Sequence, residues 1–205
     1  MKILWLSTET TGTDLQKDFV LRIMGIFEEN KKIKDIAFDY HIRPPIEAAK
    51  EYLSKPYAIF TPQQLASSLF LTPESVYKQI IDIFSVFVDK FDTNDKMYIG
   101  GHYAKFHADF FRKFFKDAGG SYYGSWFNNK IIDIASLSAE VEYHHNKKIY
   151  DNIKFDTIYN SIPRDFMPSD NYFPDYESDY VMPEKVKKIK KAHEGLLKYL
   201  TDLPF

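Results

Sequence analysis

Three short stretches of the chain carry side chains that could do chemistry: one near the amino terminus, one in the middle and one near the carboxyl terminus. Their candidate residues are Ser7 and Glu9, then His102, His107 and Asp109, then His193 and Lys198. A carboxylate is a ligand for hard divalent cations, whereas an imidazole can act as a general base or bind softer transition metals. The first question is whether the fold brings these stretches together.

The first stretch closes a predicted central strand. Residues 2–6 form an apolar run that breaks at Thr10-Thr11-Gly12, a pattern typical of a buried strand that ends in a glycine-assisted turn. Side chains two positions apart on a strand point to the same side of the sheet. Ser7 and Glu9 are therefore expected to lie on one face of this strand.

The elements that position the other two stretches follow in chain order. Strands at 19–28 and 34–42, joined by a polar hairpin connection, predict an antiparallel meander. Prolines interrupt the segment 43–72, where we expect only a short helix near residues 63–70. The remaining predictions are a helix from Thr72 that extends its apolar stripe to Phe91, a strand at 97–100 followed by a helix, a strand at 131–134, and helices at 135–143, 153–161 and 183–200.

These motifs, in this order, resemble those of the DnaQ-like 3′-5′ exonucleases. Ser7 to Gly12 is similar to the family's Asp-x-Glu-Thr-Thr-Gly, residues 102–107 are similar to its His-Asn-x-x-Phe-Asp, and residues 192–198 are similar to its Ala-His-x-Ala-Leu-x-Asp. The resemblance covers nearly the whole chain. It implies an α/β protein with the ribonuclease H-like fold, in which a mixed sheet of five strands is flanked by helices and the first strand is central.

The resemblance also implies where two metal ions would lie, and this chain departs from the family there. Of four metal-binding carboxylates only Glu9 is present, because Ser7, His107 and Lys198 occupy the other positions. His193 stands where the family has its general base. Hydroxyl and imidazole groups suit Mg²⁺ poorly, and an ammonium group repels it.

We therefore expect a vestigial site without a metal cofactor. Ser7, Glu9, His107 and His193 should converge in one pocket, with Lys198 beside it or paired with Glu9. The alternative is Mg²⁺ or Mn²⁺ held by a site rebuilt around Glu9, His107, Asp109 and His193.

Several of these residues also have a purely structural interpretation. A lone histidine on an apolar helix stripe, such as His193, is more often a packed core residue than a catalyst, and Asp133 after a strand is more often a helix cap than a ligand. If the site still contacts nucleic acid, the expected residues are Thr10, Thr11, His102, Lys187, Lys188 and Lys191. A run of lysines like Lys185 to Lys191 is nevertheless usually a solvated helix face.

Length and composition restrict the number of domains, the kinds of covalent and metal site, and the compartment. A chain of 205 residues suits a single domain, 1–205, with a surface loop at 162–183 that is rich in proline, acidic and aromatic residues. The absence of cysteine excludes disulfides and thiolate metal sites. Since the first apolar run is too short for a signal peptide or a membrane span, we expect a soluble cytoplasmic protein, or one incorporated in a virion.

Two functional classes follow. The first is a catalytically degenerate exonuclease-like domain used as a structural or binding module, in a replication complex or a phage particle, with a protein partner and single-stranded nucleic acid as the candidate partners. The second is an active, metal-dependent 3′-5′ exonuclease on single-stranded DNA or RNA. The net charge of −2 gives the whole molecule no attraction to nucleic acid, so binding would depend on a local patch.

Overall fold

The computed structural model describes residues 1–144, 158–160, 162, 165, 167, 168 and 184–201. Within them the chain forms one sheet with helices on both faces. The elements in order are β1 (Lys2–Thr10), β2 (Val20–Glu29), β3 (Lys32–Ile42), α1 (Ile46–Leu53), α2 (Pro62–Ala66), β4 (Phe70–Leu71), α3 (Pro73–Phe87), β5 (Met97–Gly101), α4 (Ala104–Asp117), α5 (Tyr123–Trp126), β6 (Phe127–Asp133), α6 (Ile134–His144) and α7 (Glu184–Thr201).

The sheet is mixed, and β1 lies in its interior as predicted. The strand order is β4-β3-β2-β1-β5-β6. β1 pairs antiparallel with β2 and parallel with β5, and β5 pairs parallel with β6. The meander of β1, β2 and β3 is confirmed, and its second turn has Asn30 and Lys31 at φ 53° and 66°, the left-handed values that tight hairpins require.

The strands of this sheet alternate between two cores, which explains the apolar run at its centre. Leu4 and Leu6 face α3 and α4 in an aromatic cluster that contains Phe84 and Phe111. Ile3 and Trp5 face α6 and α7 on the other side. Because residues two apart share a face, Ser7 and Glu9 point to the same side as Trp5, toward α7.

Some predicted elements differ in extent. The described sheet has six strands rather than five, because Phe70 and Leu71 pair in parallel with His41 and Ile42; the helix expected at 63–70 ends at Ala66. Helix α3 ends at Phe87, so Phe91 lies beyond it and is 84% exposed. The strand expected at 131–134 begins earlier, at Phe127, and its last residue Asp133 precedes α6.

Two other predictions fall largely outside the described residues. Of the helix expected at 153–161, residues 158–160 are helical, and the rest is not described. Of the loop expected at 162–183, only residues 162, 165, 167 and 168 are described. Ile162 is buried in the core on the α7 side of the sheet.

Candidate functional site

A cleft lies where the three parallel strands β1, β5 and β6 end. β5 pairs with β1 only along Lys2 to Trp5, so the last residues of β1 extend beyond the end of β5. Gly101 allows the end of β5 to approach β1, since a Cβ atom there would lie 2.9 Å from the Leu6 carbonyl oxygen. Ligands of α/β proteins are commonly bound at the carboxyl ends of parallel strands, and the sequence candidates of the first two stretches are located here.

Glu9 forms an ion pair at this end of β1. Its Oε1 lies 2.8 Å from Nζ of Lys185, in the first turn of α7, and the Glu9 side chain is less than one-third exposed. On the neighbouring strand, Arg22 is paired opposite Glu9 and forms a two-point ion pair with Asp39. The Glu9 carboxylate is therefore already neutralised by a lysine of the chain itself.

His107, at the family's carboxylate position, is turned back onto β1. Its Nδ1 accepts a hydrogen bond from the Thr8 N–H at 3.1 Å and lies 2.8 Å from Thr8 Oγ1, while the ring also hydrogen-bonds the backbone of His102. This N–H is on the part of β1 that β5 does not cover. Burial, helped by the nearby Lys185 charge, lowers the pKa of His107 to about 3. The ring is neutral at pH 7, and its contacts with Thr8 hold α4 on β1.

Ser7 and His193 are buried on the α7 side. Ser7 is fully buried, and among the described residues its Oγ has no hydrogen-bond partner; the same holds for Nδ1 of His193. The His193 ring packs against Trp5 with 4.7 Å between centroids. Burial, together with the Lys190 charge, lowers the pKa of His193 to about 4. This environment matches the packed-core interpretation of His193.

The expectation that Lys198 lies beside the pocket or pairs with Glu9 is wrong. Lys198 is exposed and its Nζ donates to the Asp165 carbonyl oxygen at 2.8 Å. It follows Lys185 by 13 residues on one helix, which corresponds to about 20 Å along the axis. The lysine that pairs with Glu9 is thus Lys185, for which the sequence indicates only a place in the lysine run.

The Thr10-Thr11-Gly12 turn is held by residues that the sequence analysis did not single out. Asp18 accepts from the Thr11 hydroxyl at 2.8 Å and from the Asp14 N–H at 2.9 Å, and Lys55 donates to the Thr11 carbonyl at 3.0 Å. Thr11 is 2% exposed, so its hydroxyl is committed to the turn and does not fit the predicted nucleic-acid contact. Asp18, seven residues from Thr11, carried no sequence signal of its own.

The other predicted nucleic-acid contacts are dispersed. His102 is buried at the cleft with its ring 4.3 Å from that of Tyr103. Lys187, Lys188 and Lys191 are half-buried along α7, and Lys188 lies over the Tyr159 ring at 6.0 Å. Lys190 is fully buried, so the lysine run is not a uniformly solvated face.

A cavity of about 590 Å³ opens between α4, α7 and the ends of β5 and β6. Its described walls include Thr13, His102, Tyr103, Lys105, Phe106, His107, Asp133, Lys185 and Ile189. Ser7, Glu9 and His193 are not among these residues, so the predicted convergence of all four candidates in one pocket is not found. The cavity instead combines aromatic side chains with two lysines.

Tyr103 occupies an unusual backbone position at this cavity. It precedes α4 with φ 54° and ψ 47°, in the left-handed region, and is 46% exposed. Its N–H donates to Asp133 Oδ1 at 3.0 Å, and the same oxygen accepts from the Ala135 N–H at 3.0 Å. Asp133 therefore caps α6 and also fixes the strained turn before α4.

Replacing Tyr103 with asparagine is expected to raise the free energy of unfolding by about 1 kcal/mol, because asparagine tolerates the left-handed conformation that strains a tyrosine. Urea denaturation monitored by circular dichroism measures the change. Tyr122→Asn is the matched control, since Tyr122 is also left-handed (φ 71°) before a helix and exposed. A loss of stability at position 103 together with a gain at 122 would contradict the assignment of strain to Tyr103.

The described side chains do not fit a pair of divalent metal ions. Within the described ranges no group of three histidine, aspartate or glutamate side chains is arranged to hold a metal ion. Glu9 is paired with Lys185, Nδ1 of His107 binds the Thr8 N–H, and Asp109 pairs with Lys105 on α4. With these contacts, the alternative metal site around Glu9, His107, Asp109 and His193 is not formed.

No family model matches this chain, and no curated protein matches it. Of the helices in the described part of the chain, none has the length and apolar character needed to cross a membrane.

Solved structures of exonuclease I are similar to this chain in fold. The enzyme from Methylocaldum szegediense gives a TM-score of 0.61 at 15% identity, covering 98% of this chain and 40% of that one. E. coli exonuclease I in complex with a dA16 oligonucleotide gives 0.62 at 15% identity, with coverage of 98% and 40%. An ExoI/SSB-Ct complex gives 0.58 at 17% identity, with coverage of 98% and 41%.

This chain thus spans about two-fifths of the length of those exonuclease I chains. At such low identity the similarity concerns the fold. It confirms the architecture that the three motifs implied. The chain has a mixed α/β fold of the ribonuclease H-like type, as found in exonuclease I.

Proposed function

We propose that this chain is a nuclease-fold module that does not carry out two-metal hydrolysis and acts instead in binding or assembly. The observation that carries the proposal is the ion pair between Glu9 and Lys185. Glu9 is the one carboxylate that remains at the positions matching the family's metal ligands, and its charge is already balanced. The protein would then use the cleft for binding and would not catalyse hydrolysis there.

Electrostatics support this proposal. An ammonium group about 4 Å from a divalent ion is repelled by about 8 kcal/mol at an effective dielectric constant of 20. Solvent screening reduces that value, yet its sign opposes metal binding at Glu9. The neutral side chains of Ser7 and His107 offer no compensating negative charge.

The candidate partners follow from the structural neighbours. Exonuclease I has been solved with a dA16 oligonucleotide and in an ExoI/SSB-Ct complex. Single-stranded nucleic acid and a protein are therefore the partner classes that we propose for this chain. A setting in a replication complex or a phage particle stays a prediction from the motifs alone.

The parent protein is expected to show no metal-dependent digestion of labelled single-stranded oligonucleotides with Mg²⁺ or Mn²⁺, and no saturable Mn²⁺ binding by electron paramagnetic resonance. Lys185→Ala should make Mn²⁺ binding detectable, because it removes the repulsion and frees the Glu9 carboxylate. Lys198→Ala, on the same helix but about 20 Å away, is the matched control and should change nothing.

If the parent digests the oligonucleotide and Glu9→Gln abolishes this activity, the protein is an active exonuclease and the proposal is wrong. Equal Mn²⁺ affinities for the Lys185→Ala and Lys198→Ala variants would show that the ion pair with Glu9 is not what opposes the metal.

A further inference from the structure

An apolar surface lies at the end of the molecule opposite the cleft. Helix α3 ends there at Phe87, and the loop that follows it leads into β5. Two large apolar side chains of this segment are exposed, Val86 by 74% and Phe91 by 84%. Single exposed apolar residues are ordinary on a soluble protein, whereas grouped ones mark interaction sites. Val86 and Phe91 line the same cavity, so they belong to one surface, which we call the Phe91 surface.

The cavity of this surface lies where β1, β5 and β6 begin, and its volume is about 500 Å³. Its described walls include Lys2 of β1, the end of α3, and Trp126, which immediately precedes β6. The Phe87 ring stacks on Phe27 of the sheet with 4.3 Å between ring centroids. Trp126 and Val88 are buried. The inner wall of the cavity is therefore apolar and continuous with the core.

Hydrogen bonds within the loop hold the backbone of Phe91 in place. The Phe91 N–H donates to Asp89 Oδ1 at 3.0 Å, and the Asp89 N–H donates to Asp95 Oδ2 at 2.9 Å. The other Asp95 oxygen lies 2.5 Å from Nζ of Lys2, which also donates to the Phe87 carbonyl oxygen. The loop is thus tied to β1 and to the end of α3. A loop that is already fixed loses little conformational entropy when a partner covers it.

The Phe91 surface is complementary to itself. It carries an exposed aromatic side chain, Phe91, beside an apolar cavity, and its rim has charges of both signs because Asp89 and Lys90 are exposed neighbours. In a two-fold symmetric dimer, a surface meets its own copy. Each Phe91 would then meet the cavity of the other copy, and Lys90 of one copy would face Asp89 of the other. A wholly acidic or wholly basic partner would instead face one like charge.

We propose that two copies of this chain associate through the Phe91 surface as a two-fold symmetric dimer. Phe91 of each copy enters the cavity of the other and packs against Phe87 and Trp126. The inference is independent of the proposed function, because none of these residues lines the cleft. Since the cleft lies at the opposite end of each molecule, the dimer presents two open clefts.

The test is sedimentation equilibrium of the full chain between about 1 µM and about 1 mM, the range in which weak complexes dissociate. The parent should form a dimer. Phe91→Ala should raise the dissociation constant about hundredfold or more, because each copy loses one phenylalanine whose burial is worth about tenfold or more. Tyr122→Ala is the matched control, since Tyr122 is also a highly exposed aromatic residue but does not line this cavity, and it should change nothing.

The protruding side chain and the cavity can be tested separately. Ser85 lines the cavity and is exposed, and its hydroxyl donates to the Ile81 carbonyl of its own helix. Ser85→Trp should therefore obstruct the cavity while Phe91 stays in place, and this variant should also be monomeric. A mixture of Ser85→Trp with Phe91→Ala should associate about tenfold more weakly than the parent but more tightly than either variant alone, because one intact Phe91 then meets one open cavity.

Three results would overturn the inference: a parent that stays monomeric at the highest concentration, equal dissociation constants for Phe91→Ala and Tyr122→Ala, and a mixture that associates no better than either variant alone. The first would leave the Phe91 surface to a different protein. The last would indicate non-specific apolar contact in place of insertion into the cavity. Circular dichroism and thermal unfolding establish that each variant is folded. If Ser85→Trp does not fold, the comparison of Phe91→Ala with Tyr122→Ala decides alone.

Discussion

Replacing Lys190 with alanine is expected to lower the free energy of unfolding by about 3–5 kcal/mol, the usual cost of removing one partner from a buried ion pair. Lys190 is completely buried, with its Nζ 2.7 Å from Glu28 Oε2 and also paired with Glu194. The Trp5 indole N–H donates to the same Glu28 oxygen at 2.7 Å. Without the lysine, the Glu28 carboxylate would remain buried beside Trp5 with its charge unbalanced.

The charge state of Lys190 is consistent with this expectation. Burial acts to lower its pKa, but the Glu194 and Glu28 carboxylates outweigh burial and hold the pKa above its usual value. Urea denaturation of the variant and the parent gives the difference in free energy. Lys50→Ala, which breaks an exposed pair with Glu47, should cost less than about 1 kcal/mol.

A second comparison isolates the charge. The double variant Lys190→Met with Glu28→Gln removes the two buried charges and leaves only the Glu194 carboxylate, which is 29% exposed. It should lose much less stability than Lys190→Ala, because no unpaired charge stays fully buried. If Lys190→Ala costs no more than Lys50→Ala, the network does not hold α7 on the sheet.

The second large effect is an acid transition that begins well above the range of ordinary carboxylates. The pKa values of His107 and His193 are lowered to about 3 and about 4, mainly by burial. An unfolded histidine binds a proton near pH 6.5, whereas these two remain neutral in the folded protein. The stability due to the neutral rings is therefore complete above pH 6.5 and is lost as the pH falls through about 4 for His193 and about 3 for His107.

The expected slope follows from linkage. With two protons taken up on unfolding, the free energy of unfolding should fall by about 3 kcal/mol for each pH unit in the steep part of this range. His41, whose pKa is lowered by burial and by Arg22, acts in the same direction. Urea denaturation at pH 7, 6, 5 and 4 measures the slope.

The control is His193→Gln, which removes one of the two titrating rings and should reduce that slope by about half. A parent whose stability is constant between pH 7 and 5 would contradict the idea that both histidines are buried in the neutral form.

The core of the fold was predictable because its signals are local. The apolar run before Ser7 identified β1 as an interior strand, and Thr72-Pro73 marked the start of α3, where the Thr72 hydroxyl accepts from the Ser75 N–H. The two-residue strand β4 was missed, since two residues have no periodicity. The early end of α3 was also missed, because the apolar spacing continues to Phe91 although the helix does not.

The site was harder to predict because it depends on how α7 lies along the sheet. The motif around His193 aligned Lys198 with a metal ligand, but packing of His193 on Trp5 and burial of Lys190 beside Glu28 fix the helix in another position. That position brings Lys185 to Glu9. The backbone strain at Tyr103 could likewise not be predicted from the sequence, since it arises from the contact with Asp133, 30 residues further along the chain.

The shortness of β4 leaves much of β3 at the border of the sheet. β4 accompanies β3 only at His41 and Ile42, so within the described part of the chain the preceding residues of β3 form an open edge. Such an edge is a template on which strands of other molecules can add and start aggregation. Lys32 and Lys34 lie along it, and lysines oppose edge-to-edge association by charge and by their cost of desolvation. Lys32 and Lys34, in the strand that follows the β2–β3 turn, are therefore expected to oppose self-association through this edge.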